Sequence, residues 1–223
     1  MVEFTQENHN LLGSKEAVEA LEKKENARVL AVSDSHGSLS VLHNIVMSFG
    51  SDCDALIFCG DGLGDLVSLL NNARNDSELA KCIPPVIAFV QGNNDAGHYS
   101  IFSGFAITAP QRQNLIVGGK NILITHGHRQ GVEFGYEALA FEAQITESKY
   151  IVHGHTHIGG EGYFGQENEY KIINPGSCSR PRGGTPTGFA ILTFGRNFED
   201  TAFVKIERGI QGLSLSTFMP MGL

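Results

Sequence analysis

Long apolar runs are missing from this chain. The longest, such as Val86 to Val90, fall far short of the roughly 18 residues of a membrane-spanning helix. No basic segment followed by an apolar one opens the sequence, where Glu3 and Glu7 stand instead. A secretory leader is therefore not expected, and the expected location is the cytoplasm. Cysteine is scarce: Cys53, Cys59, Cys82 and Cys178 form no CxxC pair. That spacing argues against a disulfide scaffold or zinc knuckle and for buried or free thiols in a reducing compartment. Basic residues are outnumbered, 16 Lys and Arg against 24 Asp and Glu, for a formal charge of −8. Duplex nucleic acid repels such a surface, so groove or backbone binding is not expected. Proline is sparse too, at 7 residues, and no low-complexity tract occurs.

What is abundant is glycine: 27 of 223 residues, about 12% against a usual ~7%. Without disorder-prone composition, this implies many tight turns at strand ends. Hydrophobic residues make up 41% of the chain, and its length is enough for one core without staples.

Residues 13–26 predict an amphipathic helix capped by Ser14, with Leu11, Val18 and Leu21 on one face. Apolar strands are expected at 27–34 and 55–61, and a third, within 86–95, runs into a polar loop. Between them lie a helix carrying Leu39, Leu42, Ile45, Val46 and Phe49, closed by Gly50, and a helix over 65–74 followed by a Pro84-Pro85 break. This alternation argues for parallel βαβ units. The second half changes rhythm. Residues 114–128 read as a hairpin turning at Gly118-Gly119, followed by a helix near 132–146 and a strand at 150–155. Hairpins at 162–173 and 188–206 complete a mixed or second sheet. The reading is one domain of two packed sheets with helices outside.

Five strand ends carry polar clusters: Asp34-Ser35-His36, Gly60-Asp61, Gly92-Asn93-Asn94-Asp95, Thr125-His126-Gly127-His128 and His153-Gly154-His155-Thr156-His157. Each cluster alone has an ordinary explanation. Asp61 fits a helix cap, Asn93-Asn94 a turn, and His126 and His128 a surface. Five such ends together are hard to explain as separate turns, because sites in open α/β sheets form outside the carboxyl ends of strands. Carboxylate, amide and imidazole donors suit Mn, Fe or Zn better than Ca. Seven donors are too many for one tetrahedral ion. They suit two ions ~3.5–4 Å apart sharing a carboxylate, an arrangement that serves in-line attack on phosphorus.

At these residues the sequence resembles the calcineurin-like metallophosphoesterase superfamily, whose pattern D-x-H, GD, GN-x-D/E, H and GH-x-H occurs here in order. The motifs THGH, YIVHGHTH and INPGS resemble its small bacterial and archaeal YfcE-like phosphodiesterase branch, over about Arg28 to Glu207. The resemblance implies a four-layer α/β/β/α sandwich of two mixed sheets flanked by helices. It divides the chain into a helical extension, 1–27, and a metallophosphoesterase domain, 28–223. It implies two divalent transition-metal ions, Mn first, with Fe, Zn, Ni or Co as alternatives. Asp34, His36 and His157 would hold one ion, Asn93, His126 and His155 the other, and Asp61 would bridge them. The implied reaction is hydrolysis of a small phosphate ester by a hydroxide bridging the metals, with Asp61, Asn93 and His128 as catalytic residues. Asn174 to Ser177 would support the site or form a plain turn. His153 is expected to be packed rather than a ligand.

Two departures from the family pattern matter. Many phosphomonoesterases of the superfamily carry His after the GN as a proton donor; here Asn94 stands there and cannot titrate. Activated diesters are therefore the expected substrates, unless His128 supplies the proton. The extension is the other departure, expected to pack outside or in a homo-oligomer contact. The alternatives are a phosphomonoesterase of nucleotides or sugar phosphates, and a metal-binding scaffold like the retromer subunit of vacuolar sorting. The full donor set favours an enzyme. Loops 62–66, 96–112 and 178–187 would wall the pocket, and Arg129, Arg180 and Arg182 are candidates to grip an anion, though each also reads as a solvated charge.

Overall fold

A computed structural model describes residues 5–6, 10–101, 105–209 and 212–219. In chain order the strands are β1 (Ala27–Val32), β2 (Ala55–Phe58), β3 (Val86–Phe89), β4 (His98–Ile101), β5 (Phe105–Thr108), β6 (Arg112–Val117), β7 (Lys120–Thr125), β8 (Tyr150–Val152), β9 (Gly160–Phe164), β10 (Tyr170–Asn174), β11 (Gly188–Phe194), β12 (Glu199–Gly209) and β13 (Gly212–Phe218). The helices are α1 (Lys15–Glu22), α2 (Leu39–Phe49), α3 (Leu63–Ala73), α4 (Ser77–Cys82) and α5 (Glu137–Ile145). Among the described residues no helix is long and apolar enough to cross a membrane.

One sheet has the order β13-β12-β11-β1-β2-β3 and the other β6-β7-β8-β10-β9. Both are mixed. The run β1-β2-β3 is parallel in the first, and β7-β8-β10 in the second. Strand faces explain the layers, since alternate residues point to opposite sides. Val29, Ala31, Ile57 and Ala88 meet Ile122, Ile124, Val152 and Ile173 between the sheets. Leu30, Leu56, Phe58 and Phe89 point the other way, into α2, α3 and α4. Leu123, Ile151 and Ile172 cover their sheet's outer face against Leu139 and Ala143 of α5. The result is the four-layer α/β/β/α sandwich.

Several boundaries differ from the sequence reading. The strands expected over 27–34, 55–61 and within 86–95 stop at Val32, Phe58 and Phe89. Past those points the chain leaves the pleat, with Asp34 at φ 56° and Asp61 at φ 54°. The helix expected near 132–146 starts only at Glu137; Gly127, Gly131 and Gly135, all at positive φ, hold 126–136 in turns. Segment 96–112, expected as loop, contains the β4–β5 ladder; its residues 102–104 lie outside the described residues. Helix α4, which apolar spacing alone does not show, is capped by Asp76, whose carboxylate accepts from the Glu78 and Leu79 N–H groups.

Ser14 caps α1 by accepting from Ala17 N. Leu12 exchanges two backbone hydrogen bonds with Ile87 of the edge strand β3, at 2.9 and 2.8 Å, which protects that edge. At the far end, Gly118 and Gly119 of the β6–β7 turn donate to the Leu21 and Glu22 carbonyls. Leu11, Val18 and Leu21 thereby join the inter-sheet core. Leu21→Ala is expected to cost about 2–5 kcal/mol of unfolding free energy, the range for a buried leucine truncated in a core. Urea denaturation measures it, and a loss within error of zero would mean that α1 is not packed as described.

Candidate metal centre

Parallel pairing decides where the site forms. β1, β2 and β3 end on one edge, β7, β8 and β10 end together in the facing sheet, and the loops leaving these strands meet. Within the first sheet, Asp34 N donates to Gly60 O and His36 N to Asp61 O, both at 3.0 Å. Between the sheets, His155 N donates to Asp34 Oδ2 at 3.2 Å, and the His126 ring reaches Cys59 O at 2.6 Å. Five of the proposed ligands, Asp34, His36, Asp61, His155 and His157, have positive φ. Non-glycine residues hold that conformation when the surroundings over-determine it, as happens at functional sites.

Asp34, His36, Asp61 and His157 bring donor atoms within 4.8 Å of one another. The Nδ1 of His157 lies 2.6 Å from Arg180 O. A carbonyl only accepts, so Nδ1 carries the proton and neutral His157 presents a lone pair at Nε2. That lone pair faces Asp34 Oδ1 at 3.1 Å and His36 Nε2 at 3.0 Å. Asp34 Oδ1 is buried without a hydrogen-bond donor. An imidazole lone pair facing a buried carboxylate oxygen is costly alone and is satisfied by a cation. Two carboxylates and two imidazoles fit a divalent transition metal.

Beside this set, His126 commits Nδ1 to Cys59 O and points Nε2 at Asn93 Oδ1, 3.1 Å away, and at Asp61 Oδ2, 3.6 Å away. Asp61 thus stands between the two groups of donors. Burial opposes its ionisation, but the neighbouring His126 ring and the hydrogen bonds donated by Asn94 outweigh that and hold the carboxyl well below the usual range. His155 stacks edge-on to His126 with ring centroids 5.1 Å apart, and its Nε2 is taken by the Glu133 carboxylate. His128 lies 5.3 Å from the His126 ring, with Nδ1 buried and without a partner. Burial, with His126 and His155 close by, lowers its pKa. His153 is fully buried against Tyr136 and pushed down to about 4 by burial.

Residues 28–197 match the calcineurin-like phosphoesterase superfamily domain. The chain belongs to that superfamily. It is 31% identical over 167 residues, 74% of this chain and 83% of the relative, to "Probable metallophosphoesterase YsnB" of Bacillus subtilis. It is 31% identical over 171 residues, 74% and 86% of the two chains, to "Phosphodiesterase YfcE" of Escherichia coli. The structure of vacuolar protein sorting 29 from Cryptosporidium parvum superposes with TM-score 0.63 at 16% identity, covering 88% of this chain and 100% of that one. That likeness is one of fold.

In this calcineurin-like chain the supporting residues are the part that the motifs did not assign. Asp95 accepts from the N–H groups of Asp61, Gly62, Leu63 and Gly92, at 2.6 to 3.0 Å, fixing the Asp61 loop on the Asn93 loop. Asp65 of α3 accepts from Ser35 Oγ at 2.5 Å and Gly37 N at 2.9 Å. Asn174 and Ser177, whose role the sequence left open, are buried braces. Asn174 donates to Gly154 O and Thr156 Oγ1, and Ser177 to Asp34 O at 2.7 Å. Gly92 is needed for close approach, since a Cβ there would sit 2.1 Å from Asp61 Oδ1. Asp95 was visible as the last residue of its motif; Asp65 and Glu133 carry no local signal. Asn94 donates its side-chain amide to Asp61 Oδ2 at 2.6 Å, which ties it to that carboxylate.

Proposed function

We propose that this superfamily member is a two-metal phosphodiesterase that hydrolyses small phosphate esters. The observation carrying the proposal is the convergence of Asp34, His36, Asp61 and His157 within 4.8 Å, beside Asn93, His126 and His155. Asp34, His36 and His157 would hold one divalent ion, Asn93, His126 and His155 a second, and Asp61 both. Manganese suits this mixture of oxygen and imidazole donors. Bound there, such ions supply positive charge against the phosphate oxygens and make water nucleophilic at neutral pH.

The chain's own part is positioning. Cys59 O and Arg180 O aim two imidazoles, Asn94 and Asp95 fix the Asp61 loop, and Ser177 braces Asp34. Asn93 and His128 both stand against His126, in the second ligand set, and we assign them to contact the ester. The chain division at residue 27 belongs to the same proposal: α1 supplies no donor and supports a sheet edge, leaving 28–223 as the catalytic domain. We place the protein in the cytoplasm, a reading supported by its four scattered cysteines, all of them free thiols.

The diester preference rests on Asn94. A poor leaving group needs a proton as its P–O bond breaks, worth ~10²–10⁴-fold when an acid is positioned for it. An amide cannot titrate, and the Asn94 amide is committed to Asp61. Aryl diesters should therefore be cleaved faster than alkyl monoesters, with kcat/KM falling steeply as leaving-group pKa rises. A flat dependence with chemistry rate-limiting, or a preference for monoesters, would point to His128 as an acid and overturn the diester assignment.

A further inference from the structure

Three of the site imidazoles have one nitrogen held from outside the cluster, and they are not held alike. His126 and His157 give Nδ1 to backbone carbonyls, Cys59 O and Arg180 O, each at 2.6 Å. They therefore offer Nε2. In His155 the assignment is reversed, because Nε2 meets the Glu133 carboxylate. A neutral imidazole has one N–H and one lone pair. With Nε2–H donating to Glu133, the only lone pair left on His155 is at Nδ1. The ring has little freedom to reverse this. Its backbone N–H is fixed on Asp34 Oδ2 at 3.2 Å, and its φ is 69°. The preceding residue is Gly154, where a Cβ would lie 2.1 Å from Ser33 Oγ and 2.8 Å from Asp34 Oδ2, so the segment is pressed against the first ligand group.

We infer that Glu133 is the positioning residue of the second metal site, fixing the His155 tautomer so that Nδ1, not Nε2, is its ligating atom. The inference rests on the two-metal reading above. Glu133 comes from the glycine-rich turn between β7 and α5, bounded by Gly131 and Gly135 at φ 62° and 154°. Glu133 belongs to none of the ligand motifs. A carboxylate accepting from the remote nitrogen of a ligand imidazole orients the ring and raises its basicity, and losing it typically costs ~10–100-fold in metal affinity. The chemistry also separates the two sites. The ligands of the first are held by the Arg180 carbonyl and buried serines, whereas the second adds an ionised, half-exposed clamp to the Cys59 carbonyl.

The test uses the full chain. Apoprotein is titrated calorimetrically with Mn²⁺ as wild type, Glu133→Ala and Glu133→Gln. The first binding step should be unchanged in all three. The second should weaken about 10- to 100-fold in Glu133→Ala and less in Glu133→Gln, whose amide oxygen can still accept the proton. In parallel, ¹⁵N-histidine spectra of the Zn²⁺-loaded wild type should show His155 metallated at Nδ1, while His126 and His157 are metallated at Nε2. Wild-type affinity at both steps in Glu133→Ala, or Nε2 metallation of His155, would overturn the inference while leaving two-metal binding intact. A wild type that binds fewer than two ions would overturn the two-metal reading and this inference with it. Because Glu133 is exposed at the surface, an unchanged circular dichroism spectrum confirms that the variants are folded.

Discussion

Asp61→Asn is expected to lower kcat/KM toward an aryl phosphodiester by at least about 10²-fold, the scale set by losing first-layer ligation together with nucleophile generation. The reason is local. Asp61 Oδ2 lies 3.8 Å from His36 Nε2 and 3.6 Å from His126 Nε2, so one carboxylate serves both groups of donors. An amide removes its charge and one of its acceptor oxygens. It also creates a clash of donors. Asp61 Oδ1 accepts from Asn94 N at 2.8 Å and Oδ2 from Asn94 Nδ2 at 2.6 Å. Whichever way the new amide turns, its NH₂ group faces an N–H. Metal analysis should show fewer than two ions per chain at concentrations that saturate the wild type. Near-normal turnover with two bound ions would remove Asp61 from the bridging role.

Exhaustive chelation has the other large expected effect: complete loss of turnover with the fold retained. The three apolar clusters that hold the sandwich together do not depend on the ligands. The ligand cluster itself is the destabilised part without cations, because Asp34 Oδ1 and the Nε2 atoms of His36 and His157 crowd each other. Adding Mn²⁺ back should therefore raise Tm, through an added stability of about 2.7 kcal/mol per site at a free concentration a hundredfold above Kd. Circular dichroism and a thermal scan on chelated and reloaded protein check both halves. Loss of the helical signal on chelation, or unchanged activity after confirmed metal loss, would contradict the account.

These effects can be argued from few residues because the four donors that converge were legible in the sequence. Asp34, His36, Asp61 and His157 follow strand ends whose glycine neighbours and apolar runs mark them, and parallel pairing of β1 with β2 brings two of those ends together. The layers were legible for the same reason, since residues such as Val29 and Leu30 alternate between two cores. What stayed hidden depends on distance in the chain. Glu133 reaches His155 across 22 residues and Asp65 reaches Ser35 across 30, and neither sits in a spacing that periodicity or motif can register. The role of α1 was hidden in the same way. Its stripe predicts a buried face, but only the bridge from Leu12 to Ile87 shows that the segment leading into it closes the edge of β3. The late start of α5 reflects glycine conformations that apolar spacing does not report.

The most direct test of the central claim, that two ions held by this cluster drive ester hydrolysis, is a stoichiometric one. Apoprotein is titrated with Mn²⁺, and in each sample the bound ions are counted and hydrolysis of bis(p-nitrophenyl) phosphate is measured. The account predicts that turnover rises with filling of the second equivalent and reaches its plateau at two ions per chain. Full turnover in the metal-free sample, or no turnover with two ions bound, would contradict it.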